Sequence, residues 1–167
     1  MNQGRRPAVW AEGFSLIELV VTIAILGLLA TVAVPFAQLV EQRHKEAELR
    51  DSLRRIRTAI DAYKQAAVVE KRIAVPADAT GYPPDLDVLW RGATDQTQID
   101  TAKDKLYFLR RLPRDPFFPD AAAEPADTWG KRSYASPPEE PQEGEDIYDV
   151  YSLSTKTGLN GVPYREW

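Results

Sequence analysis

Residues 14–36 read FSLIELVVTIAILGLLATVAVPF, twenty-three positions with a single charge, Glu18. As a helix rising 1.5 Å per residue, this stretch reaches about 35 Å, enough to cross a hydrocarbon core of about 30 Å. Three readings compete for it. A cleaved secretory signal combines a basic start, an apolar core and a small-residue cleavage site, here Arg5-Arg6 and Thr31-Val32-Ala33. A plain membrane anchor needs only the apolar length. A polymerising span also accounts for Glu18, because a carboxylate near the centre of a span costs roughly 2.5–3.5 kcal/mol and is normally partnered. A cut between Gly13 and Phe14 places a new α-amine one helical turn from Glu18. The amine of a neighbouring copy could then neutralise that carboxylate and set the axial register of the two chains. The plainer account of Glu18 is an interfacial residue near the helix end, neutral or snorkelling.

Around this block the chain is ordinary. It has 167 residues, 21 Lys+Arg against 25 Asp+Glu, one histidine (His44) and no cysteine. The length suits one domain. Without cysteine there is no disulfide framework, thiol nucleophile or zinc–cysteine site, and one histidine excludes a histidine-rich metal site. A pI near 5.1 argues against nucleic-acid binding unless charge is segregated. The mean hydropathy of −0.39 conceals the apolar block, because an average does not report concentration.

Gly27 and Pro35 interrupt the helical run. Pro35 cannot donate to the carbonyl of Thr31 and its ring crowds that turn, so a kink or loosened segment is expected between 27 and 35. Beyond it, Leu49, Leu53, Ile56, Ile60, Tyr63 and Ala67 recur at spacings of four and three, the apolar stripe of an amphipathic helix. A helix from about Phe14 to Val69 would be about 80 Å long. Arg50, Asp51, Arg54, Arg55, Arg57, Asp61 and Lys64 lie between the stripe positions and are expected on a solvated face. Inter-subunit contact is the rival role for that face, since residues 41–64 hold seven basic and five acidic side chains.

Pro76, Gly81, Pro83 and Pro84 end the helix. Residues 82–89 suggest a turn with a short helical piece, and residues 101–112 (TAKDKLYFLRRL) a second short helix. Leu112–Phe117 reads as a turn before a strand, and residues 120–145, rich in Ala, Pro and Glu, as a surface loop. Asp146–Leu153 alternates as a strand does, and Thr157–Gly161 supplies a turn.

Gly13-Phe14-Ser15-Leu16-Ile17-Glu18-Leu19 resembles the processing and methylation site of the type IV pilin and type II secretion pseudopilin superfamily. The resemblance implies cleavage after Gly13 by a prepilin peptidase, N-methylation of Phe14, and pairing of Glu18 with the amino terminus of an adjoining subunit. It also implies curvature and local melting at a proline placed like Pro35. Five further features, in chain order over residues 82–167, resemble the major pseudopilin of type II secretion. They are Tyr82-Pro83-Pro84-Asp85-Leu86, Leu112-Pro113-Arg114-Asp115-Pro116, Trp129-Gly130, Tyr148-Asp149-Val150-Tyr151-Ser152 and the terminal Trp167. The lack of cysteine agrees, since many type IV pilins close this region with a disulfide and these pseudopilins generally do not. Basic residues lie on both sides of the span, Arg5 and Arg6 before it and Arg43, Lys45, Arg50, Arg54 and Arg55 after it, so their count leaves orientation open. The resemblance implies a cytoplasmic leader and a periplasmic head.

Major pseudopilins commonly hold calcium in the loop after the Tyr-Ser-Leu strand. Calcium takes six to eight oxygen ligands, several of them charged. Here Ser154–Asn160 has no carboxylate and carries Lys156, so the expectation is no cofactor, with calcium as the alternative and Lys156 bonding the loop carbonyls in its place. No phosphate loop, HExxH or GxSxG pattern occurs. Asp115, Asp146 and Asp149 read as turn-forming, solvated acids rather than catalytic ones. Residues 115–167 hold eleven acidic and four basic residues, against a nucleic-acid partner.

The sequence therefore points to an α+β chain of type IV pilin-like class, a long N-terminal helix packed on a small C-terminal antiparallel sheet domain. Its parts are a leader (1–13), a transmembrane and assembly helix (14–36), an amphipathic continuation (37–69) and a periplasmic head (70–167). The expected role is a non-enzymatic subunit of a periplasmic pseudopilus, anchored by one pass in the inner membrane. Glu18, Gly27 and Pro35 serve assembly. The partners implied are copies of itself, the prepilin peptidase, minor pseudopilins, the inner-membrane platform and the assembly ATPase. The alternatives are a minor pseudopilin, a type IV pilin for adhesion or motility, or a membrane-anchored periplasmic binding or enzymatic domain.

Overall fold

The computed structural model describes residues 14–98 and 104–167. The expected leader (1–13), with Gly13, and positions 101–103 of the expected second short helix lie outside the described residues. Helix α1 spans Leu16–Lys64 and passes through Gly27 and Pro35 without a break. It is followed by one turn of π-helix, Gln65–Val69, where Glu70 N–H donates to Gln65 O at 3.0 Å and Arg72 N–H to Ala66 O at 2.8 Å. The chain divides into two compact units, one ending at Glu41 and the other running Gln42–Trp167.

In the second unit, all six positions of the apolar stripe are buried, with Leu49, Ile56 and Ile60 fully so. They form one core with Ala59, Ala66, Ile73, Leu86, Leu89, Ala93, Leu112, Trp129, Ile147, Val150 and Tyr164. Amphipathic periodicity thus becomes packing, and the second part of α1 is the central rod of the head.

Helix α2, Val88–Arg91, ends at Gly92, whose N–H donates to Val88 O at 3.0 Å. Gly92 has φ 87°, a left-handed backbone that only glycine adopts without strain. Strand β1 (Ala93–Thr94) pairs antiparallel with β2 (Lys105–Leu106), in register Ala93↔Leu106. Strand β3 (Trp129–Arg132) pairs antiparallel with β4 (Asp149–Ser152), from Trp129↔Ser152 to Arg132↔Asp149. The fold is α+β as expected, with the sheet reduced to two short ribbons.

Two local expectations are corrected. The helix expected over 101–112 is absent from its described part. Lys105–Leu106 is a strand, and the amides of Phe108 and Leu109 both donate to Leu89 O, at 3.0 and 2.8 Å. The Leu106, Leu109 and Leu112 spacing that imitates a helix instead serves a short strand and a bent run laid against the core. Phe108 there meets Tyr63 edge to face at 5.5 Å. Residues 120–145 are likewise not one surface loop. Pro125–Thr128 is a 3₁₀ turn, and β3 follows with Trp129 buried and its indole N–H donating to Pro113 O at 2.9 Å. The Ala/Pro/Glu composition hid a buried tryptophan whose area and hydrogen bond outweigh it.

Candidate assembly site

Phe14 and Ser15 precede the first turn of α1, and Glu18 lies within that turn. A carboxylate there is favoured by the positive end of the helix dipole. Glu18 is exposed, and among the described residues no cation pairs with it. Around it the surface is apolar: Phe14 is 82% exposed, and Leu16, Ile17, Leu19, Val20 and Val21 are all exposed. Further along the helix Ile25, Leu28, Leu29, Val34, Phe36 and Val40 are exposed as well. Thr22 and Thr31 turn their hydroxyls back to Leu19 O at 2.8 Å and Leu28 O at 2.7 Å, so neither adds an unsatisfied donor to this surface. A Cβ on Gly27 would meet nothing within 4 Å, so packing within the chain does not demand glycine there. Small residues on membrane helices let a second backbone approach closely. The helix is long and apolar enough to cross a membrane, which fits a single-pass anchor.

Chemically, this end of α1 presents a lone carboxylate in an apolar sheath. It suits one operation, accepting a cationic donor brought by another molecule while the sheath is covered by lipid or like helices. Phe14 and Glu18 lie four residues apart; Gly27 and Pro35 sit further along the same helix and do not join them.

The head holds polar groups that the sequence reading placed in solvent. Arg57 donates from Nε to Asp149 Oδ1 at 2.7 Å, and from Nη2 to Val150 O at 3.1 Å and Trp167 O at 2.7 Å. The ammonium of Lys64 stands 3.7 Å from the ring centre of Tyr82, and Arg50 lies 4.2 Å over that of Trp167. Arg57 and Lys64, both half-buried, are corrections to the solvated-face expectation, whereas Arg50, exposed, and Arg55, paired with Asp51 at 2.7 Å, remain on it.

Asp115 and Asp146 are buried, not solvated. Asp115 accepts from Ser152 Oγ at 2.5 Å and Phe117 N–H at 2.7 Å. Burial pushes its pKa up, against those two bonds. Asp146 accepts from Thr80 Oγ1, from Ser133 Oγ at 2.8 Å and from Tyr134 N–H at 2.9 Å. Its burial works upward too, but the three donors and nearby Lys64 bring the net shift down. Asp95 is held down to about 2 by the Arg72 guanidinium, with Thr97 adding two bonds. Each carboxylate ties a turn to its neighbours.

Glu46 is a further buried acid, 4% exposed. Its signal was present: the four-and-three spacing of Leu49 and Leu53 extends back to Glu46 and Gln42. Lys156, by contrast, is exposed and its ammonium makes no hydrogen bond among the described residues, so it does not brace the loop carbonyls. No group of three or more His, Asp or Glu side chains is gathered for a metal among the described residues.

Residues 11–34 match the family described as the prokaryotic N-terminal methylation motif. No curated protein and no solved structure matches the chain. A motif of this kind belongs to structural rather than enzymatic proteins, and implies processing by a prepilin peptidase and assembly into pilus-like fibres. The matched segment contains Phe14, Glu18 and the apolar sheath around them, so the chain carries a type IV prepilin-like N-terminus that supports a pilin or pseudopilin family.

Proposed function

We propose that the chain is a structural subunit of a periplasmic pseudopilus that helps drive proteins through the outer membrane in type II secretion. It is cleaved between Gly13 and Phe14, methylated on the new amine, held in the inner membrane by α1, and drawn into a helical fibre of like chains. The observation that carries this is the Glu18 carboxylate, without an ion-pair partner among the described residues, in the first turn of an exposed apolar helix within a matched methylation motif. The pairing of Glu18 with a neighbour's terminal amine neutralises both charges as the sheath leaves lipid for the fibre. Secretion rather than adhesion or motility is supported by the cysteine-free head and by the order of its motifs over residues 82–167. The peptidase, minor pseudopilins, platform and ATPase are separate chains in this reading.

Co-expression with a prepilin peptidase should remove residues 1–13 and leave N-methyl-Phe14, seen by mass spectrometry. An intact N-terminus, or a cut near Ala33, defeats the proposal. Glu18→Ala should keep membrane insertion and lose the fibre; fibres of normal yield from that variant would refute the pairing.

A further inference from the structure

The loop after β4 is the segment in which a pseudopilin-like head is expected to hold a divalent cation, and its donor set here does not fit one. Several of its oxygens already accept from N–H groups. Lys156 O accepts from Tyr164 N–H at 3.1 Å, Gly158 O from Gly161 N–H at 2.9 Å, and Val162 O from Gly158 N–H at 2.9 Å. Val162 O also accepts from the Trp167 indole at 3.2 Å, and Asn160 Oδ1 accepts from Val162 N–H at 3.1 Å. Calcium takes six to eight oxygen ligands, several of them charged, and residues 154–160 supply no carboxylate.

What the loop does turn inward is donors, and they converge on one acceptor. Glu46 Oε1 takes Leu159 N–H at 2.8 Å, Tyr164 O–H at 2.9 Å and Gln42 Nε2–H at 3.2 Å. Its Oε2 faces Arg50 at 4.0 Å. Gln42 also donates to Tyr164 Oη at 3.1 Å, which closes the triangle. The Tyr164 ring is stacked on Phe117 at 4.1 Å and meets Trp167 edge on at 5.0 Å, so the hydroxyl is held in place. We infer that Glu46, through these donors, closes residues 154–167 onto α1 in place of a divalent cation, so that the head is stable without calcium. The inference stands on the head alone and is independent of the assembly reading.

The test is thermal unfolding of the full chain in detergent, followed by tryptophan fluorescence, with EGTA or with millimolar CaCl2. Wild type should show the same Tm in both. Glu46→Ala removes the acceptor of the buried Tyr164 hydroxyl and of two part-buried donors, Leu159 N–H and Gln42, and should lower Tm by roughly 5–10 °C in both conditions. Glu46→Gln keeps a carbonyl for Leu159 but loses the charge, and should fall between them. A wild-type Tm that drops on chelation or rises with calcium overturns the inference, as does a Glu46→Gln variant that melts with wild type. If Glu46→Ala does not fold, the wild-type and Glu46→Gln arms decide. Failure of the fibre reading would show instead as an unprocessed N-terminus, with these melting curves unchanged.

Discussion

Replacing Arg57 separates two readings of the charged face of α1. If its guanidinium were solvated, Arg57→Ala would change stability by no more than about 0.5 kcal/mol. In the structure, it makes one ion pair and two hydrogen bonds to carbonyls more than ninety residues away in sequence. The pair is part-exposed, 39% for Arg57 and 30% for Asp149, so it deserves only about 0.5 kcal/mol. Each charge-assisted bond to a carbonyl is worth about 1.5 kcal/mol when buried, and roughly half that here. Asp149 keeps Arg132 at 3.8 Å, which limits the cost of its desertion. The total is about 2 kcal/mol, or a fall in Tm of about 5 °C. Arg57→Lys keeps the charge but cannot fork to a carboxylate and two carbonyls, so it should lose about half as much. Urea unfolding of the full chain in detergent measures both as shifts in midpoint at constant slope. An Arg57→Ala variant within about 0.5 kcal/mol of wild type would refute the clasp. A lysine variant equal to wild type would refute the geometry while sparing the charge.

Gly130 lies opposite Tyr151 in the β3–β4 ribbon, and a Cβ there would come within 2.3 Å of the tyrosine ring. Gly130→Ala should therefore cost about 1–3 kcal/mol in the same urea assay, with Tyr151→Ala relieving part of the loss. Acid stability depends on Asp95, whose folded pKa of about 2 lies below the ordinary 3.8. Its contribution is complete above about pH 4 and is lost as pH falls towards 2, so Asp95→Asn should flatten the melting-temperature profile in that window. Asp115 acts with the opposite sign. Its raised pKa means that stability is lost as pH rises through the carboxylate range, and Asp115→Asn should remove that slope.

The long helix and its buried stripe were legible because period and burial coincide from Leu49 to Ala67. The N-terminal methylation motif was legible because its chemistry is local: glycine, aromatic and carboxylate stand within six positions. The irregular run at Lys105–Leu112 was not, because the amides of Phe108 and Leu109 bond to Leu89 and no local pattern records a distant acceptor. Trp129 was masked by the composition around it. The acids were misjudged for one shared reason. An aspartate in a polar stretch carries the same sequence signature whether its turn faces water, as at Asp120, or folds over hydroxyls, as Asp146 does on Ser133 and Thr80. Glu46 differs, since extending the stripe by two more positions would have flagged it.

The clasp of Glu46 and Arg57 on residues 149–167 also has a kinetic side. The contacts join residues separated by 92 to 118 positions, and the two ribbons supply few local pairings to guide them. Loop closure over such separations precedes the reward, which slows folding. During synthesis the helix emerges with its stripe bare and its clasping carboxylate and guanidinium empty. They fill only when Trp167 and Tyr164 arrive. Until then the chain exposes the rod that later becomes its core, so the interval between making the helix and finishing the last turn is when it most needs protection from aggregation.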